Sequence, residues 1–359
     1  MKIGNQKNYG GMGRQNVRFK RNVTFGQKFS AALRWIILIA IIVFAIWSQN
    51  NFIIVKDYVY TDVRVPKTFT GYTIVHISDI HNKPMNLVSK VKSANPDVIL
   101  VSGGFTDSDG EYNASVKALN KLANIADTYC VFGDNDSKAN HIQSKLDSNI
   151  IVIENDCVDI KAPKVDVDDF IDKYIGKQIQ KQAKNGEESA LKYIAYTKDE
   201  LEADRNAIIR VSGVPYEVNN ETLIDDVYSV IGTDKSIFQI LLANRTDLFK
   251  TLQIVDVDLY LSGQTHGRDG VVSGYKSGVY AEHGTTMFVN PGIGNLDEDG
   301  SRFLNYPEVT KIVLSDGAIK DYNPLEKLLM YFMPDVKTRF DDDEGFKTYT
   351  YTYEYGREN

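Results

Sequence analysis

"TIVHISDIHN", Thr73 to Asn82, decides the fold of this chain. Its apolar, β-branched first half reads as a buried strand, and its polar second half as the loop that strand feeds. Open α/β sheets gather ligands at the carboxyl ends of their strands, so Asp79 and His81 stand where a site would form. A carboxylate and an imidazole two residues apart can converge on one point, which is half of a metal site. A capping Asp beside a surface His is the plainer reading of a lone Asp-x-His, and the rest of the chain decides between the two.

The same pattern recurs. "PDVILVSGG" (96–104), "YCVFGDND" (129–136), "FQILLANRTD" (238–247) and "VDLYLSGQTHG" (257–267) each run from apolar residues into a polar or Gly-containing loop. Helix-like stretches lie between the early ones, such as "YNASVKALNKLANIA" (112–126), with apolar residues at helical spacing. Upstream, "FIIVKDYVYTDVRV" (52–65) alternates well enough for one or two strands before Pro66. Alternation and length predict one large α/β domain with five polar loops hung from strand ends.

Charge divides the chain. The first 34 residues hold eight Lys or Arg and no Asp or Glu, leaving 33 basic against 48 acidic residues elsewhere, a net of −15. Phosphate backbones are bound mainly through Lys and Arg, so nucleic-acid binding is not expected of the body. "WIILIAIIVFAIW" (35–47) follows the basic segment, and 29–47 makes nineteen residues if Arg34 snorkels. A cleaved signal peptide is the rival reading, but "AIWSQNN" offers no small-x-small cleavage site. The expectation is a basic cytoplasmic segment at 1–28, a transmembrane anchor at 29–48, and a body outside the membrane. Trp35 and Trp47 would lie at the two interfaces.

Residues 161–206 read as a charged insert, in which Phe170, Ile171, Tyr174, Ile175 and Ile179 form an apolar stripe. Two readings stand: a surface helix packed on the body, or a partner-binding helix. The tail at 326–359 is acidic and then Tyr-rich, and "FKTYTYTYEYG" (346–356), which alternates, reads as an edge strand, a partner-binding segment or a disordered stretch. Cys130 and Cys157 lie in apolar stretches, away from zinc-like spacing, and read as buried thiols.

Taken in order, "SDIHN", "GGFTD", "GDND", "LLANRTD" and "SGQTHG" resemble the motifs of the calcineurin-like metallophosphoesterase superfamily, in particular its bacterial membrane-anchored branch. "FVNPGIGN" (288–295) and "RFLNYPEVTKIVLS" (302–315) look like the closing strands of that branch. The resemblance implies a four-layer αββα sandwich of two mixed sheets over 51–325. It also implies a metal-dependent hydrolase of phosphate mono- or diesters, in which two ions activate a hydroxide and clamp the phosphate.

Several letters depart from the family pattern. The bridging Asp corresponds to Gly104, and the His that helps protonate the leaving group corresponds to Asn135, whose amide is no general acid. Asn244 and Gln264 replace two further histidines, and amide oxygens are weaker ligands than imidazole. Asp79, His81 and His266 match, so the resemblance implies one ion, Mn, Fe or Zn, rather than a binuclear centre. Asp107 matches a carboxylate that supports the site, and Asp134 could still ligate through oxygen. Asp109 and Asp136 are further carboxylates that could partly refill the second site. The alternative is a pseudoenzyme, whose remaining ligands are hydrogen-bonded loop residues and whose insert and tail contact partners. His76 is expected in the core, His141 on a surface helix and His283 near a closing strand.

Overall fold

Runs of β-branched residues flanked by turn formers become strands here, and the amphipathic runs between them become helices. The computed structural model describes residues 25–139, 141–162, 206–232, 234–252, 254–263, 275–294 and 305–316. The chain divides into two units, Met1–Trp47 and Ser48–Asn359. In the second unit, one sheet is ordered β1-β12-β2-β3-β4-β5, from Ile54–Thr61, Glu308–Ser315, Thr73–Ile77, Val98–Ser102, Asp127–Val131 and Ile150–Val152. The other is ordered β10-β11-β9-β8-β7-β6, from Gly278–Glu282, Thr285–Val289, Leu259–Ser262, Phe238–Ala243, Ile208–Val214 and Cys157–Lys161.

Both sheets are mixed. β2 to β5 run parallel, and β12 is antiparallel to β2. In the second sheet β7, β8, β9 and β11 run parallel, with β6 and β10 as antiparallel edges. Both sheets are covered on both faces, so β2, β3 and β8 are buried from end to end and are built mostly of apolar residues.

Three apolar layers follow from that alternation. Ile74, Val98 and Leu100 of the first sheet pack with Val211, Ile240 and Leu261 of the second. Val75, Ile99 and Val101 face outward against α2 (Leu87–Ala94) and α3 (Asn113–Leu122). Leu241, Ala243 and Tyr260 face the opposite way, against α5 (Leu223–Ile231) and α6 (Phe249–Leu252). The order of layers is helix, sheet, sheet, helix, as the resemblance implies.

The described ends of the insert lie side by side. Ala162 N–H donates to Ala207 O at 3.1 Å, continuing the β6–β7 hairpin, so residues 163–205 leave and return at one place. Those residues and the tail at 326–359 lie outside the described ones, and so does the expected cytoplasmic segment except for its last residues. Cys130 is buried and Cys157 half-buried, both as free thiols.

The N-terminal helix, α1 (Phe25–Asn51), is 27 residues long and leaves apolar side chains exposed, Trp35, Ile39 and Trp47 among them. Among the described residues no helix is long and apolar enough to cross a membrane. The expected anchor at 29–48 therefore rests on the sequence and not on the fold.

Candidate metal centre

Each candidate loop leaves the carboxyl end of a strand. β2 presents Asp79 and His81; β3 presents Gly104 and Asp107; α4 (Asp134–Lys138), just after β4, presents Asp134 and Asn135; and β8 presents Asn244. Parallel pairing places these ends along one edge of each sheet. Gln264 and His266, beyond β9, lie outside the described residues.

Asp79, His81 and Asn82 all take left-handed backbone angles, with φ of 49°, 44° and 54°. Non-glycine residues hold such angles only where their surroundings over-determine them. Here the neighbouring loop does so: Asp79 N–H donates to Gly103 O at 2.9 Å, His81 N–H to Gly104 O at 2.9 Å, and Asn82 N–H to Phe105 O at 3.0 Å. Both candidate ligands are buried.

His81 Nδ1 lies 2.9 Å from Thr106 O, which can only accept. Nδ1 therefore carries a proton, which leaves Nε2, 3.8 Å from Asp79 Oδ1, as the ring atom that could bind a metal. The pair fits a divalent ion. With both bonds at about 2.1 Å, a 3.8 Å separation corresponds to about 130° at the ion, a widened tetrahedral angle. Among the described residues no three His, Cys, Asp or Glu gather around one point.

The Gly104 position is filled by its neighbours. A Cβ there would lie 2.4 Å from Asp79 Oδ1 and 2.6 Å from Asp79 Cα, and φ is +77°. Gly263 closes the other side, where a Cβ would meet Asp79 Oδ2 at 2.5 Å. Asn244 Nδ2 donates to Ser102 O at 2.6 Å and faces Asp79 Oδ1 at 3.4 Å. Both neighbours are acceptors, so the amide NH₂ points at the carboxylate and no Asn244 oxygen is offered there.

The remaining carboxylates serve the backbone or a surface ion pair. Asp107 Oδ1 accepts from Asp109 N–H at 3.1 Å and Glu111 N–H at 2.8 Å, closing its own turn. Asp134 pairs with Lys138 on the surface. Asn135 Nδ2 lies 3.5 Å from Asp107 O, joining two loops. Asp136, 1% exposed, accepts four backbone N–H groups, those of Gly104, Phe105, Thr106 and Gly133, at 2.7 to 2.9 Å.

Sequence reasoning missed Asn290. Its Nδ2 reaches His76 O at 3.3 Å and Thr310 Oγ1 at 2.9 Å, while Oδ1 accepts from Gly292 N–H at 2.7 Å and Ser78 Oγ at 3.1 Å. It ties the end of β11, in one sheet, to β2 and β12 in the other. The signal was present in Asn290-Pro291-Gly292, because an Asn side chain that bonds the backbone two residues on is a common turn. His283 sits with Gly284 in the turn between β10 and β11.

His76 is fully buried on the inter-sheet face, with Nε2 2.9 Å from Ser102 Oγ, and burial pushes its pKa down to about 3. The unfolded ring titrates near 6.5. Between those values the unfolded chain binds the extra proton, so stability from the neutral ring is present above pH 6.5 and is lost as pH falls toward 3. Urea unfolding at pH 7 and pH 4 is expected to differ by a few kcal/mol more in the native chain than in His76→Gln. An equal difference in the two would mean that the ring is not buried in its neutral form.

No curated protein matches the chain significantly. Among the solved structures that resemble it are two at 10% identity. One, the TT1561 protein of Thermus thermophilus, covers 62% of this chain and 90% of its own with a TM-score of 0.36. The other, phosphopantetheinyl hydrolase from Mycobacterium tuberculosis, covers 63% and 90% with a TM-score of 0.33. The model for calcineurin-like phosphoesterases matches residues 72–268, more than half of the sequence, and the chain belongs to that family.

Proposed function

We propose that the protein is a membrane-anchored phosphoesterase with a reduced, one-ion site, acting slowly on phosphate mono- or diesters. The observation that carries this reading is the setting of His81, whose Nδ1–H is spent on Thr106 O while Nε2 lies 3.8 Å from Asp79 Oδ1. A ring locked in that tautomer is what metal-binding histidines require. Asp79 and His81 would hold the ion, with His266 as the third ligand by resemblance.

When bound, such an ion polarises a phosphoryl oxygen and lowers the pKa of a bound water. The chain's own residues supply the geometry. Gly104 and Gly263 fix the Asp79 carboxylate, and Asp136 holds the loop whose carbonyl orients His81. Asn135 can donate a hydrogen bond to a phosphate or leaving group but cannot protonate it. A single catalytic acid commonly contributes about 10²- to 10⁴-fold, so turnover is expected to be slow by about that factor.

A second reading, a catalytically silent binding module, is favoured by Asn135 together with the filled Gly104 position. Anchoring by 29–48 is supported by the apolar run in the sequence behind a basic segment, and with that orientation the body would lie outside the cytoplasm.

The full-length chain, solubilised in detergent, is the material for the test. One Mn²⁺ per chain and hydrolysis of bis-p-nitrophenyl phosphate, both lost in His81→Ala, are expected of the enzyme. Bound Mn²⁺ with no hydrolysis selects the silent module; no Mn²⁺ removes the one-ion reading. Carbonate washing of the membranes before solubilisation tests the anchor, because release of the chain into the wash would remove that part.

A further inference from the structure

From the packing around Asp79, we infer that Asn244 is a positioning residue whose amide N–H takes the place of a second cation. The inference deepens the one-ion reading and rests on it for the ion at Asp79 and His81.

Asp79 is 1% exposed, and a buried carboxylate needs a positive or hydrogen-donating neighbour. In a two-ion centre a cation would fill that need. Here Asn244 stands in, its NH₂ shared between Ser102 O at 2.6 Å and Asp79 Oδ1 at 3.4 Å. The amide cannot be turned over, because its oxygen would then confront two acceptors. An N–H dipole aimed into the space beside Asp79 repels a cation entering it.

Among the described residues, a third loop approaches the same place. Gly133 approaches the same amide, since a Cβ on Gly133 would lie 3.3 Å from Asn244 Cγ and 2.8 Å from Gly104 N. Gly104 carries no ligand, and Asp134 is paired with Lys138. Three loops thus close on the position from which a second ion would be held, and the group they enclose is neutral.

The inference gives Asn244→Asp an unusual signature. Its carboxylate would face Asp79 Oδ1 at about the 3.4 Å now spanned by the amide, and Ser102 O as well. Two carboxylate oxygens that close repel one another unless a cation lies between them. With bonds of about 2.1 Å, that spacing gives about 108° at an ion, close to tetrahedral.

The test uses full-length chain in detergent, stripped with chelator and then titrated with Mn²⁺. Free Mn²⁺ is followed by electron paramagnetic resonance, and melting is measured at each step. The native chain is expected to take one equivalent. Asn244→Asp is expected to melt several degrees lower without metal, to take a second equivalent, and to gain more from Mn²⁺ than the native chain gains. Asn244→Ala should stay folded and bind its one Mn²⁺ about 10- to 100-fold more weakly, because Asp79 loses its orienting partner.

Two equivalents in the native chain would overturn the inference. So would an Asn244→Asp protein with native melting and native stoichiometry. A native chain that takes no Mn²⁺ sinks the one-ion reading alone. The role of Asn244 is then decided by whether Asn244→Asp melts low without metal and recovers with it.

Discussion

Gly104→Asp, which writes the family's bridging carboxylate back into the chain, is expected to unfold the protein rather than restore a two-ion centre. Position 104 has φ of +77°, a conformation that L side chains rarely adopt. A Cβ there would stand 2.4 Å from Asp79 Oδ1, 2.6 Å from Asp79 Cα and 3.0 Å from Asp79 N. Two of those atoms are backbone, and that backbone is pinned by Asp79 N–H to Gly103 O and His81 N–H to Gly104 O, each at 2.9 Å. Relief therefore requires moving the whole β2 loop. The new carboxylate would also be buried against an existing one. Overpacking, backbone strain and unpaired charge together place the loss at about 5 kcal/mol or more, at the far end of what single substitutions do. Urea unfolding should show little or no cooperative transition, and Gly104→Ala should share most of the loss. A Gly104→Asp protein that melts like the native chain and binds two Mn²⁺ would refute this.

That expectation marks where sequence and structure part. Gly104 in place of an Asp reads, letter by letter, as a vacancy awaiting some other carboxylate. In the fold it is a contact, because Asp79 packs against the glycine on one side and Gly263 packs against Asp79 on the other. A missing side chain says nothing of what relaxes into its space, since that depends on three loops from two sheets. Asn244 has the same lesson in its orientation: as a letter it is a weak oxygen ligand, but Ser102 O turns its nitrogen inward.

The scaffold was more legible. β2, β3 and β8 are mostly apolar runs because both faces of each sheet are covered, and that pattern is local enough to read directly. His76 as a core residue followed from its place inside such a run. The pairing of β1 with β12 could not be read the same way. It joins residues some 250 positions apart, and nothing local in either strand specifies its partner. Asn290 was hidden for the same reason: its turn with Gly292 is local, but its bonds to His76 and Thr310 cross between sheets.

Asp136→Ala is the second large effect expected, and it separates holding the site from being part of it. The sequence offers Asp136 as a carboxylate that could refill an ion site. In the fold its two oxygens are shared among the N–H groups of Gly104, Phe105, Thr106 and Gly133. Alanine leaves all four donors buried without a partner, at roughly 1 to 3 kcal/mol each. Even the low end of that range sums to about 4 kcal/mol. Asp136→Asn keeps one acceptor oxygen and turns an NH₂ toward the other donors, so about half of the loss should remain. Because Thr106 O orients His81, the effect should reach the ion as well: Mn²⁺ affinity should fall in both variants, in the order of their stability losses. An ion ligand would behave differently, since removing a buried carboxylate ligand abolishes binding while changing metal-free stability little. Urea unfolding of the metal-free chains therefore decides the matter. If Asp136→Ala lies within about 1 kcal/mol of the native chain, Asp136 does not clamp the loop.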